Sequence, residues 1–238
     1  MNLLCRIALL SLLLTFSNTA CSQPLDLDAV LEQLIDSYGG ESNLRKMQSQ
    51  VQEWEMIAVR SHRRGTDIRT IRAPDQLKVE LTYPDKTETR IFDGEESYIR
   101  FNRGPTKPVV EAQRDAMRLQ LMRLYSPLLL RDKRDSLTMT TKGATYLLSL
   151  FEHGVSVDYV VNAENWRIEK VVGTLPIKGS TMQFLAEYSD FTMRDGVLIH
   201  QREKKYAGGV STAVLQLREI TLDADLKDAN FLADGETI

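Results

Sequence analysis

Three histidines, two cysteines and a scatter of carboxylates are the residues whose types could carry metal or acid–base chemistry, and their spacing decides what they can do. His62, His153 and His200 stand far apart, and none has a second donor at metal-ligand spacing. A zinc site needs three or four converging ligands, so the pattern points to no metal, and no cofactor motif accompanies it. There is no Gly-x-Ser-x-Gly nucleophile turn, and Lys178-Gly179-Ser180 lacks the rest of a phosphate loop. Asp93, Glu95 and Glu96 surround an Asp-Gly step that reads as a hairpin end, where carboxylates are solvated. An enzyme would need carboxylates assembled from distant segments by folding, and the sequence reads as a non-enzyme.

The remaining candidates are apolar. Met117, Leu121, Met122, Leu124, Tyr125, Leu128, Leu129 and Leu130 crowd one stretch, and Trp54, Met56, Trp166, Ile168, Met182 and Phe184 are strand residues expected on the inner side of a curved sheet. Core packing accounts for most of them. The functional alternative is a cavity wall for lipid: methionine is flexible and polarisable, so it adapts to mobile acyl chains, and ligand cavities are mostly apolar. Each methylene removed from water contributes about 0.8 kcal/mol, so a fourteen-carbon chain would supply on the order of 10 kcal/mol before ordering costs. Such a binder needs few specific contacts. The candidate lipid-binding residues are Trp54, Met56, Met117, Leu121, Met122, Tyr125, Leu128, Trp166, Ile168, Met182 and Phe184.

The formal charge of -3 and a pI near 5.7 give no global basic field, which argues against nucleic acid as a partner. Arg60, His62, Arg63 and Arg64 form the one dense basic cluster and read as a solvated hairpin end. Residues 1–20 divide as an export signal does: one cation (Arg6), an apolar run over residues 7–16, then small and polar residues to Ala20. The run of about ten residues is half of what a membrane-spanning helix needs. Cys5 lies within this signal, leaving Cys21 as the single thiol of residues 21–238, which are expected to form one domain. Asn18-Thr19-Ala20-Cys21 resembles a lipobox and makes Cys21 a candidate lipidation site and membrane anchor; ordinary cleavage after Ala20 is the alternative. Either reading places the chain in the periplasm or at the outer membrane.

The elements that must position these residues follow from periodicity. Leu27, Val30, Leu31, Leu34 and Ile35 recur at three- and four-residue steps, predicting an amphipathic helix within residues 25–47 that ends at Gly39-Gly40. Beyond it the period falls to two: Leu77, Val79 and Leu81, then Val157, Tyr159 and Val161, then Met182, Phe184, Ala186 and Tyr188. Turn signals at Tyr83-Pro84-Asp85, Asp93-Gly94, His153-Gly154, Asp195-Gly196 and Gly208-Gly209 join these runs as hairpins. Residues 110–125 interrupt the meander with strong helix formers. The expected fold is mainly β, a strongly curved antiparallel sheet whose concave apolar face is closed by one or two helices. Phe231 is the expected docking residue of a polar tail.

Taken in order, several short motifs resemble the LolA-like half-barrel proteins of the bacterial envelope. They are Tyr38-Gly39-Gly40 with Leu44, residues 72–79 leading to Phe92-Asp93-Gly94, Tyr159-Val160-Val161-Asn162 with Trp166-Arg167-Ile168, Tyr188-Ser189-Asp190-Phe191 with Asp195-Gly196-Val197, and Ala229-Asn230-Phe231. The resemblance implies a half-barrel of about eleven strands whose helix-lidded concave face holds acyl chains. It makes the chain an envelope carrier of lipid or lipoprotein acyl chains. The alternative is a periplasmic interaction or sensor module whose interior is filled by side chains and whose partner is another envelope protein.

Overall fold

A computed structural model describes residues 25–177 and 179–232. The export signal over residues 1–20 and Cys21 lie outside the described residues. Helix α1 (Leu27–Ser37) forms as its periodicity predicts, with Val30, Leu31, Leu34 and Ile35 all buried. The Asp26 carboxylate caps it, accepting from the Ala29 amide at 2.8 Å. Gly39 ends it at a φ of +111°, and a Cβ there would lie 1.9 Å from the Gly196 carbonyl oxygen. The glycine is therefore required twice, by the backbone turn and by the close approach of a distant hairpin. A second helix, α2 (Glu41–Leu44), and a 3-10 turn (Arg45–Gln48) complete the N-terminal segment.

The first half of the sheet comprises β1 (Ser49–Ala58), β2 (Arg63–Arg72), β3 (Gln76–Tyr83), β4 (Lys86–Phe92), β5 (Ser97–Phe101) and β6 (Lys107–Pro108). Two helices follow, α3 (Glu111–Met122) and α4 (Pro127–Asp132). The second half comprises β7 (Leu137–Lys142), β8 (Thr145–Glu152), β9 (Val155–Asn162), β10 (Arg167–Ile177), β11 (Ser180–Arg194), β12 (Val197–Ala207) and β13 (Val210–Leu222). All belong to one antiparallel, unclosed sheet, a half-barrel in which β1 pairs with β13 and the edges are β6 and β7. Among the described residues it has thirteen strands, more than the eleven or so that the resemblance implies. One of the unforeseen strands is β6, two residues inside a proline-bearing stretch where no alternation can show.

Alternation sets the faces. On β9, Val155, Val157, Tyr159 and Val161 are all buried, and their neighbours Tyr146, Leu148 and Leu150 on β8 continue the same apolar surface. Because β6 and β7 are the sheet's two edges, the chain between them has to cross from one edge to the other, and it does so over this apolar face. Helix α3 packs on β3, β4 and β5 of the first half and on β9 and β10 of the second, while α4 packs on α1 and α2. It feeds two apolar clusters: Leu119 and Met122 join the main core, whereas Met117 and Leu121 join a smaller one built on Ile71, Leu77, Val79 and Phe92. This double duty explains why residues 110–125 are apolar on more than one side. Burying each of these four side chains contributes about 1.5–3 kcal/mol.

The tightest contact lies at Gly173 in the middle of β10. A Cβ added there would sit 2.8 Å from Leu119 Cγ, so α3 rests directly on the strand's backbone. Gly173→Val overpacks this contact at a cost of about 1–3 kcal/mol. Since β10 is held by ladders to β9 and β11, the helix is the part that yields. Hydrogen exchange should speed up across α3 while β8 to β12 keep their protection; uniform acceleration would show that the helix and sheet open only together.

Candidate functional site

The corner between α3 and α4 is pinned to the sheet by three phenols. The Tyr159 hydroxyl donates to the Met122 carbonyl at 2.6 Å, Tyr188 donates to the Arg123 carbonyl at 3.1 Å, and Tyr125 reaches back to the Pro74 carbonyl at 3.0 Å. The first two of these bonds go to carbonyls at the C-terminus of α3, where the helix's own ladder runs out, and the third goes to the turn between β2 and β3. Burial pushes all three phenols above their ordinary range, so they stay protonated and able to donate. Residues 107–132 therefore form a strap, apolar beneath, tied at this corner by the phenols, at its start by the pairing of β6 with β5 and at its end by the Arg131–Glu41 ion pair at 2.8 Å.

Several cavities border the strap among the described residues, three of them with mainly apolar walls. One of about 50 Å³ lies beneath the corner, walled by Trp54, Tyr159, Ile168, Val171, Leu198 and His200, with Arg123 and Tyr125 from above. A second of about 230 Å³ opens on one flank between Ile71, Pro74, Leu121, Tyr125, Leu128 and Leu129. A third of about 300 Å³ lies between Tyr98, Ile99, Phe101, Val109 and Met117. Pockets that hold drug-sized ligands measure about 300–1,000 Å³, so the space directly beneath the corner is nearly filled and the flanking spaces are marginal.

Six of the expected lining residues border these cavities: Trp54, Ile168, Tyr125, Leu121, Leu128 and Met117. Met122 and Met56 are buried core residues, 1% and 5% exposed. Phe184 packs on the core's margin, opposite Gly173. Two expectations need correction. Trp166 is not a strand residue: it occupies the turn between β9 and β10 at a φ of +55° and stacks on Tyr146 with ring centroids 5.7 Å apart. Met182 does face the concave side, opposite Leu175, but lies beyond the strap's reach and is 39% exposed.

The concave face also carries charges that the sequence reading missed. Arg69, Asp67 and Glu203 are each 1% exposed. Arg69 holds Glu203 with two bonds, at 2.7 and 2.8 Å, and reaches Asp67 at 3.0 and 3.2 Å. Lys205 lies 3.2 Å from Asp67, and His200 Nε2 lies 3.1 Å from Glu203. His200 is itself stacked on Tyr188 and Trp54, at 4.0 and 5.5 Å, and the Arg69 guanidinium covers the far Trp54 ring at 4.9 Å. Burial opposes ionisation of both acids, but Arg69 and Lys205 outweigh it, holding Glu203 well below the usual range and Asp67 below its own. These are carboxylates brought together by folding, yet the cations beside them hold both ionised at neutral pH, the reverse of a raised-pKa general acid, and one oxygen, Asp67 Oδ1, is buried without a hydrogen-bond partner. A signal existed: the hairpin at Ala73-Pro74 sets Arg69 opposite Val79 and Asp67 opposite Leu81, on the apolar side. Among the described residues no group of three metal-ligating side chains converges, and no helix is long and apolar enough to cross a membrane.

No protein-family model matches the chain, and no curated protein matches it by sequence. Solved structures do. A LolA superfamily protein from Nitrosomonas europaea superposes with a TM-score of 0.56 at 15% identity, over 89% of this chain and 99% of that one. The chain has the LolA-like fold. A domain assigned to outer membrane lipoprotein sorting, from Vibrio parahaemolyticus, gives a TM-score of 0.55 at 8% identity over 85% of this chain and 94% of that one. A DUF1329 family protein from Desulfovibrio piger gives 0.56 at 11% identity over 86% and 96%. The LolA-like fold thus holds over the full length of these structures, while identities this low speak for the fold alone.

Glu203→Gln leaves Arg69 buried with one ionic partner fewer and should cost about 3–5 kcal/mol at pH 7. In the wild type, both acids have folded-state pKa values below their ordinary 4.5 and 3.8. Their stabilisation is complete above about pH 4.5 and drains away as pH falls through the folded-state values. Urea unfolding at pH 7 and pH 3 should therefore show a smaller acid loss in Glu203→Gln than in the wild type; equal losses would place the acid sensitivity elsewhere.

Proposed function

We propose that this protein is an exported, non-enzymatic envelope protein that binds acyl chains between its half-barrel sheet and the α3–α4 strap. The observation that carries the reading is the strap itself. It covers the apolar face of an open sheet with aliphatic and methionine side chains, and between its two ends it is fastened by hydrogen bonds at a single corner. On this reading the structure is the closed form. When the strap lifts, Trp54, Met117, Leu121, Met122, Tyr125, Leu128 and Ile168 exchange their contacts with one another for contacts with the ligand chain, and Phe184 lies at the cavity's end. Residues 1–20 act as the export signal, and Cys21, if acylated, tethers the domain to a membrane. A lipoprotein-sorting description belongs to the Vibrio domain; here it supports acyl chains as the ligand class.

The nearly filled space beneath the corner, about 50 Å³, favours a second reading, in which the strap stays closed and the same face recognises an envelope protein. The two readings differ in whether the strap must move. A Cβ at Gly173 would meet Leu119, so Leu119→Cys with Gly173→Cys, in a Cys21→Ser background, places two thiols in position to lock the strap. Native mass spectrometry of the reduced protein after incubation with fatty acid should show about one bound chain, and the oxidised protein none. Equal uptake in both states, or none in either, would sink the moving-strap mechanism. Added mass on Cys21 in envelope-purified wild type would establish the anchor.

A further inference from the structure

Three cations meet beneath the strap's corner, Arg69, Lys205 and Arg123, with only two carboxylates, Asp67 and Glu203, among them. Both Glu203 oxygens and Asp67 Oδ2 are engaged, while Asp67 Oδ1 is buried without a hydrogen-bond partner. Arg69 spends its Nε and both terminal nitrogens on the engaged oxygens, and Lys205 and His200 occupy further acceptor positions. Arg123 is left over. Its Nε is buried without a hydrogen-bond partner, and the carboxylate that acts on its charge, Glu203, is already held by both terminal nitrogens of Arg69. Its position at the end of α3, where helix carbonyls favour a cation, helps it persist there, although burial pushes its guanidinium below its ordinary pKa.

An arginine of this kind is costly unless something compensates it, and its surroundings indicate what could. Arg123 borders both the aromatic and aliphatic cavity around Trp54 and Ile168 and the polar cleft at Arg69 and Glu203. A ligand reaching this point would place an apolar chain along the sheet and its end group against an unpaired guanidinium. Building on the acyl-binding reading above, we propose that Arg123 receives the acidic head of the ligand, so that the ligand class is an anionic amphiphile: one apolar chain ending in a phosphate or carboxylate. A guanidinium meets either group with paired hydrogen bonds. A neutral ester or amide offers no charge to offset the guanidinium's.

Calorimetric titration of the mature chain with decyl phosphate, 1-decanol and inorganic phosphate tests this, alongside Arg123→Met, which keeps the apolar stem, and Arg123→Lys, which keeps the charge. The wild type should bind decyl phosphate at least about tenfold more tightly than decanol. Arg123→Met should lose that preference while keeping its decanol affinity and a thermal midpoint no lower than that of the wild type, and Arg123→Lys should restore part of the preference. Equal binding of both chains by the wild type would overturn the head-group assignment and leave the acyl reading standing. A preference that survives in Arg123→Met would overturn it too, as would inorganic phosphate binding as tightly as decyl phosphate. Binding of neither chain would bring down the acyl reading and this assignment together.

Discussion

An open antiparallel sheet has two free edges and an apolar face that water must not reach, and in this chain one segment answers both demands. The edge strands β6 and β7 are joined by the chain that carries α3 and α4. That connection cannot avoid the concave face, because the shortest way between the edges runs across it. Most of the architecture follows. Residues 110–125 must be apolar towards both halves of the sheet, Gly173 must lack a side chain where the helix lands, and the helix end must find hydrogen-bond donors on the sheet, which Tyr159 and Tyr188 provide. Helix α1 then covers what the strap leaves open, wedged beside α4 and fixed to the Gly196 turn through Gly39.

The parts legible in the sequence were those written in local periodicity. Val30, Leu31, Leu34 and Ile35 declare a helix face, and Val157, Tyr159 and Val161 a strand face, because burial of one side imposes the same period on residues near in sequence. Gly39-Gly40 marks the helix end for an equally local reason. What stayed hidden depends on pairings across long separations. Arg69 and Glu203 are 134 residues apart, and neither is recognisable as buried until strand register is known. Trp166 looks like a strand residue because tryptophan favours sheets, but the turn after Asn162 captures it. Met182 has the right parity and the wrong address: period two reveals the face and says nothing about where the covering helix stops.

A mostly apolar concavity that nevertheless encloses Arg69, Asp67, Glu203 and Lys205 is not what burial alone would select. Buried ion pairs contribute little net stability compared with well-packed apolar residues. Their effect here is geometric. The network ties β2 to β12 beneath the strap, and through the Trp54, His200 and Tyr188 stack it fixes the aromatic wall of the central cavity. It also divides the concave face into an oily region and a polar one, with Arg123 at their border.

The strap is attached to the sheet at both ends, so it never leaves the site it covers. On the acyl-binding reading, Leu119 and Met122 are a resident competitor, present at an effective concentration on the order of millimolar for a short tether. A guest chain would have to displace that internal rival, which would set a floor on the chain length that can be held. The same rivalry would work in reverse on release, the strap's own side chains reoccupying the space that a departing chain leaves.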